Sequence, residues 1–312
     1  MNKILHPAAT LIAHSLGAKL EAPMTYRGMC DASAAAALGT DLFVVANDER
    51  NQLKIYHRGR PDPVDIVDLS GFLGTKKDKE SDLEGAATVG ERIYWVSSHG
   101  RNKKGERQDR RCRFFATDLV KGEEHIVPVG KPYAALLDDM IAAEQHQQYD
   151  LKHAASLSPE EPGAFNIEGL AATLLGSLLI GLRNPVPKGM ALVLHLLNPD
   201  EVIEGKRARF GAPVELDLGG LAVRSMELVG LAYMIVAGPP GDSGRFALFR
   251  WSGDPNDQPI ELEHEDFDKV RPEALFAIPG TRQVQLLSDD GGEHVKTMTE
   301  DEQTFQSVTL TL

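Results

Sequence analysis

The apolar positions of this chain fall in short alternating runs, such as Leu53-Lys54-Ile55-Tyr56-His57 and Val64-Asp65-Ile66-Val67-Asp68-Leu69, bounded by glycine, proline, asparagine or aspartate. Period-two alternation sends one set of side chains to a buried face and the other to a wetter one, so each run predicts a half-buried strand. Two phrases repeat closely. Asp82-Leu83-Glu84-Gly85-Ala86-Ala87 is followed by a run ending in Ser97-Ser98-His99-Gly100-Arg101, and Asn166-Ile167-Glu168-Gly169-Leu170-Ala171 by Leu178 to Arg183-Asn184-Pro185. Weaker copies begin at Asp31, Asp217 and Pro272.

Each phrase opens a set of strand-like runs. In the second unit these are Asp82 to Ala87, Arg92 to Ser97, Cys112 to Thr117 and His125 to Val129. The fourth pairs Asp217 to Ala222 with Tyr233 to Ala237, and the fifth adds a run over His294 to Met298 before the last strand, Phe305 to Leu312. Five four-stranded units of roughly 50 residues describe an all-β fold, a β-propeller with antiparallel blades, forming a single domain over residues 1–312. A sandwich does not repeat one four-strand phrase from end to end. Five blades are favoured, with six as the alternative. The N-terminal segment decides between them, either pairing with the last blade or belonging to an extra one.

One stretch breaks the period. In residues 132–164, Tyr133, Leu136, Leu137, Met140 and Ile141 fall at helical spacing, ahead of a polar tail. This predicts a helix and loop inserted between the second and third blades, either packed on the flank or acting as a lid.

Charge narrows the partners. A formal net charge of −13 opposes a general affinity for nucleic acid or for anionic membrane. No apolar run approaches the roughly 20 residues that span a bilayer, and the opening residues make no convincing signal peptide, so the expectation is a cytoplasmic protein. Cys30 and Cys112 lack zinc-ligand spacing and read as packed thiols.

In an antiparallel blade the start of the inner strand and the end of its partner lie together, so both open on one face of the ring. The inner-strand starts supply Asp31, Asp82 with Glu84, Asn166 with Glu168, Asp217 and Glu273. The partner-strand ends supply Asn47 with Asp48, His99 with Arg101, Arg183 with Asn184, and Asp289 with Asp290. Such convergence marks the channel mouth as the candidate site. The basic run Arg101 to Arg113 would overhang it and attract a small anionic ligand. Asp31, Asp82 and Glu84 are the candidate ligands of a divalent cation, calcium first, which takes oxygen donors. No organic cofactor is expected.

At these residues a likeness emerges. The segments around Glu84, His99, Glu168 and Arg183 resemble those of a bacterial family catalogued as a domain of unknown function, over about Asp31 to Asp290. The Glu-Gly strand start is also similar to that of phytase-like esterases. The resemblance implies a propeller and marks these four residues as motif positions without assigned roles. The fourth unit has Gly219, and the first Ser33, where the others have Glu.

Two functions follow. One is a metal-assisted hydrolase of a small anionic ester, a phosphoester or lactone, with His99, Glu168 and Arg183 as catalytic residues and Arg101, Asn166, Asn184, Asp48 and Asp289 binding the ligand. No nucleophile elbow or phosphate loop is present, which disfavours covalent catalysis. The other is a non-catalytic propeller that binds a ligand or a protein partner at the same face.

Overall fold

The computed structural model describes residues 19–47, 50–77, 79–159, 161–241, 243–262, 271–291 and 297–312. Asp48, and most of the strand expected over His294 to Met298, lie outside the described residues.

Five antiparallel sheets form five blades. The first holds β3 (Ala32–Leu38), β4 (Leu42–Asn47), β5 (Gln52–His57) and β6 (Pro63–Asp68). The second holds β7 (Leu83–Val89), β8 (Arg92–Ser97), β9 (Phe114–Leu119) and β10 (Ile126–Tyr133). The third holds β11 (Asn166–Ala172), β12 (Leu178–Asn184), β13 (Ala191–Leu196) and β14 (Val214–Leu216), and the fourth β15 (Ala222–Val229), β16 (Ala232–Gly238), β17 (Ala247–Trp251) and β18 (Ile260–Leu262). The fifth holds β19 (Pro272–Ala277), β20 (Gln283–Ser288) and β21 (Thr304–Thr311). Its outer edge is completed by β1 (Lys19–Leu20) and β2 (Met24–Arg27), both antiparallel to β21.

Residues 19–27 therefore pair with the last blade, which makes five blades among the described residues. Inner strands contact one another in the order β3, β7, β11, β15, β19, and β19 returns to β3. Each seam has its own apolar core: Leu83 and Trp95 meet Ala34 and Val44 between the first two blades, and Met234 and Val236 meet Leu275 and Leu286 between the last two. At the closing seam Tyr26 of β2 stacks on Phe305 with ring centroids 5.3 Å apart and meets Phe43 edge-on. Buried Lys54 ties the Gly28 carbonyl to Glu300 there.

The glycine of the repeated phrase has a packing cause. A Cβ on Gly85 would sit 2.9 Å from the Leu170 Cβ of the next blade, and one on Gly169 would sit 2.6 Å from Val223 Cγ1. Gly181, paired with Gly169 across the hairpin, meets the same valine. Small residues at this height let one inner strand nest against the next. The equivalents in the other blades are Ala34, Ser225 and Ala274.

That register corrects two expectations. The fourth inner strand runs Ala222–Val229, not Asp217 to Ala222; Asp217 caps the preceding turn, its Oδ1 accepting from Gly219 N at 3.0 Å. The inserted helix spans only Leu136–Ala142, because Tyr133 belongs to β10 and extended Ala143 ends the helix. Buried Leu136, Leu137 and Met140 pack it into the core between the second and third blades, the flank position.

Candidate functional site

Every inner strand carries a register break near its start. The pairings jump from Ala32 to Ala34, Leu83 to Gly85, Ile167 to Gly169, Val223 to Ser225 and Pro272 to Ala274. Ser33, Glu84, Glu168, Arg224 and Glu273 are thus the extra residues of five bulges at one height around the ring. A bulged residue leaves the ladder and re-aims its side chain, and such kinks recur beside active sites. The third blade breaks a second time: Arg183 is the extra residue on the partner strand β12, opposite the step from Asn166 to Ile167.

Glu168 is buried between two guanidinium groups. Arg183 Nη1 donates to its Oε1 at 3.0 Å, and Arg224 Nε lies 2.7 Å from its Oε2, a charge contact off the hydrogen-bond line. Arg224 also donates to Glu273, so one cation bridges the carboxylates of two neighbouring blades. Burial pushes the Glu168 and Glu273 carboxyls above the usual range, and Arg224 opposes the rise in both. Arg183 is fixed further by donating from Nε to Pro240 O at 3.2 Å and from Nη2 to Gly241 O at 2.9 Å. Asn184 Nδ2 donates to Pro240 O at 2.8 Å. These bonds strap a loop of the fourth blade onto the third.

A cavity of about 340 Å³ opens beside this network, between the second and third blades. The second blade lines it with Asp82, Glu84 and Ser98, and the loop after β8 adds Arg101 and Arg111. The third contributes Asn166, Arg183 and Asn184, and the strap contributes Pro240 and Gly241. The chain returning from the insert walls it with Pro159, Ala164 and Phe165. Arg101 is held across the opening by donating to Ala155 O at 2.8 Å and Gly105 O at 2.9 Å. Asp82 accepts from the Ser98 hydroxyl and lies 3.2 Å from Arg111 Nη1. Burial raises its carboxyl pKa, and the Arg111 charge opposes the rise.

The cavity thus brings together Asp82, Glu84, Arg101, Asn166, Arg183 and Asn184, with Glu168 directly behind Arg183. His99 is a correction. It is 3% exposed, has left-handed backbone with φ 58, and does not line the cavity. Its Nδ1 sits 2.8 Å from Ser97 O, and burial pushes its pKa down to about 4. A neutral imidazole donating to its own strand is a packed residue rather than a proton carrier. Asp31 and Asp289 lie apart from the cavity, at the closing seam, where they face each other in an isolated bridge. Burial, with the Asp31 charge adding to it, pushes Asp289 up to about 6.

The expected cation ligands therefore divide, Asp31 at the closing seam and Asp82 with Glu84 at the cavity. Among the described residues no three His, Cys, Asp or Glu side chains are grouped to hold a metal ion. Arginines stand between the carboxylates instead. Sequence reasoning missed Arg224, and had Arg111 only as part of the basic run Arg101 to Arg113. Arg224 follows Val223 as Glu168 follows Ile167, but Ser225 replaces the marker glycine.

Among solved structures, the chain is similar to glutaminyl cyclase from Myxococcus xanthus, with 11% identity, a TM-score of 0.50 and coverage of 94% of this chain and 96% of that one. It is also similar to the PQQ-bound form of an aldose sugar dehydrogenase from Streptomyces coelicolor, with 12% identity, a TM-score of 0.47 and coverage of 94% and 98%. At such identities the likeness concerns the fold alone. No curated protein matches the sequence. Residues 135–306, from the inserted helix to the last strand, match the model of one family. With that match covering more than half of its length, the chain belongs to the family described as Protein of unknown function (DUF3616) and is a five-bladed β-propeller member of it.

Proposed function

We propose that the propeller binds a small polar molecule through its anionic group, in the cavity between the second and third blades. One observation carries this reading: Arg101, Arg111 and Arg183, with the amides of Asn166 and Asn184, line a single space of about 340 Å³. That volume suits a small metabolite, and fixed guanidinium forks recognise carboxylate or phosphate oxygens. The basic loop around the opening supports it by raising the local concentration of anions. Arginine, in place of the expected calcium, neutralises the ligand. No helix among the described residues is long and apolar enough to cross a membrane. Cys30 and Cys112 are both buried thiols.

The test is calorimetric titration with inorganic phosphate and with glutarate, on the wild type and on Arg101→Met. Saturable binding weakened at least tenfold by the substitution supports the assignment. Affinities equal in both proteins would remove it.

A second reading, hydrolysis of the bound molecule, has one supporting feature. Asp82 lines the cavity and accepts from the Ser98 hydroxyl, and a carboxylate so placed can serve as a general base toward a water or hydroxyl at the bound molecule. Turnover of small phosphate or carboxylic esters that disappears in Asp82→Asn would favour it. Binding without turnover leaves the non-catalytic propeller.

A further inference from the structure

The cavity presents more than anion donors. From the second blade come the carboxylates of Asp82 and Glu84, and from the inner strand of the third comes Asn166, whose Oδ1 is buried and accepts no hydrogen bond among the described residues. These are acceptors. Donors come from Arg183 and Asn184 of the third blade and from Arg101 and Arg111 of the loop after β8, Arg111 lying 3.2 Å from Asp82. Asp82 already has Arg111 and Ser98 as partners, so a dianion spanning the space would set one of its charges against Glu84, and like charges at close range cost several kcal/mol in a partly desolvated site. A plain amine would leave the guanidinium side unanswered. A ligand carrying both a carboxylate and an ammonium group satisfies both walls, because the ammonium has three donors for the acceptors and the carboxylate takes the guanidinium fork.

Resting on the binding reading above, we propose that the ligand is a small zwitterion, an amino carboxylate. Its carboxylate faces Arg183 and Arg101, and its ammonium group faces Glu84 and Asp82. Glu84 is then the residue that selects for the amine. It emerges from its bulge at the height of Glu168, but it lines the cavity, whereas Glu168 is enclosed by Arg183 and Arg224. Two inner-strand glutamates of the same repeat thus have different work: one meets the ligand, and the other holds the arginine that meets it.

The experiment is calorimetry on the full chain with matched probes. L-Leucine is compared with 4-methylpentanoate and 3-methylbutylamine, which each lack one of its charges. γ-Aminobutyrate is compared in the same way with butyrate and propylamine, and glutarate supplies the dianion. At least one zwitterion is expected to bind tenfold or more tighter than both of its single-charge partners and than glutarate. In Glu84→Gln that preference should collapse to the level of the monocarboxylate, while binding of the monocarboxylate itself is retained or strengthened. Glutarate binding as tightly as the best zwitterion, or an unchanged preference in Glu84→Gln, would overturn the zwitterion and leave the anion site standing. Silence from every probe, glutarate and phosphate included, would overturn both.

Discussion

Gly169 offers the most direct test of how the blades are spaced. A methyl group there would lie 2.6 Å from Val223 Cγ1, 3.2 Å from Gly181 Cα and 3.3 Å from Met226 Cγ. Val223 and Met226 are buried, and Gly181 is backbone within the adjoining strand, so none of the three gives way freely. Overpacking of this kind costs about 1–3 kcal/mol. Gly169 does not have left-handed backbone, so alanine also restricts the unfolded chain and returns about 0.4–1 kcal/mol. The expected net loss for Gly169→Ala is therefore about 1–2 kcal/mol. Val223→Ala alone removes two buried methyl groups, at about 0.8 kcal/mol each plus a cavity contribution. In the double variant the new methyl occupies the space that Val223 vacates. Its loss should fall short of the sum of the single losses by about 1 kcal/mol or more. Urea denaturation of the four proteins, with equal slopes, measures this. A Gly169→Ala protein as stable as the wild type, or strictly additive losses, would refute the inter-blade role given to the glycine of the repeated phrase.

The remaining predictions concern charge. Glu227 is half-buried on β15 with its pKa pushed up to about 8 by burial, against the Ala277 N–H bond that opposes it. Its contribution is thus greatest below the unfolded value near 4.5 and is lost as pH rises through about 8, so Glu227→Gln should gain on the wild type across that interval, by on the order of 2 kcal/mol. Parallel pH-stability curves for the two proteins would contradict this. Arg224→Met leaves Glu168 and Glu273 without their shared cation, and removing one partner of a buried pair costs about 3–5 kcal/mol, measurable by the same denaturation. Arg224→Lys should recover part of that loss, and a neutral outcome for Arg224→Met would discount the bridge. The affinity for glutarate should fall steeply between low and moderate salt because the rim from Arg101 to Arg113 is basic, and a salt-independent affinity would remove the steering role.

The fold was legible because its repeat is written in glycine. Gly85 and Gly169 are forced by the close approach of Leu170 and Val223, so the phrase marks the inner strand at the height of the bulge. The position of Glu168 and its pairing with Arg183 follow from strand pairing alone. Where another small residue does the same work the mark disappears. Ser225 tolerates the neighbouring blade without glycine, and the turn glycines Gly219 and Gly220 drew the fourth strand several residues too early, hiding Arg224. His99 misled for a different reason. A polar residue at a strand end suggests exposure, but its left-handed backbone turns the ring into the protein, a rotation that no spacing rule reveals. The two parts of the cavity wall that come from the insert and the strap depend on loop paths, and loops carry no period.

The central claim is that an anion is held at the mouth, between the second and third blades, by Arg183. Calorimetric titration with glutarate of the wild type, of Arg183→Met and of Lys121→Met, an exposed residue in the turn between β9 and β10, tests it directly. The account predicts that Arg183→Met weakens binding at least tenfold while Lys121→Met matches the wild type. Equal affinity in all three proteins would contradict it.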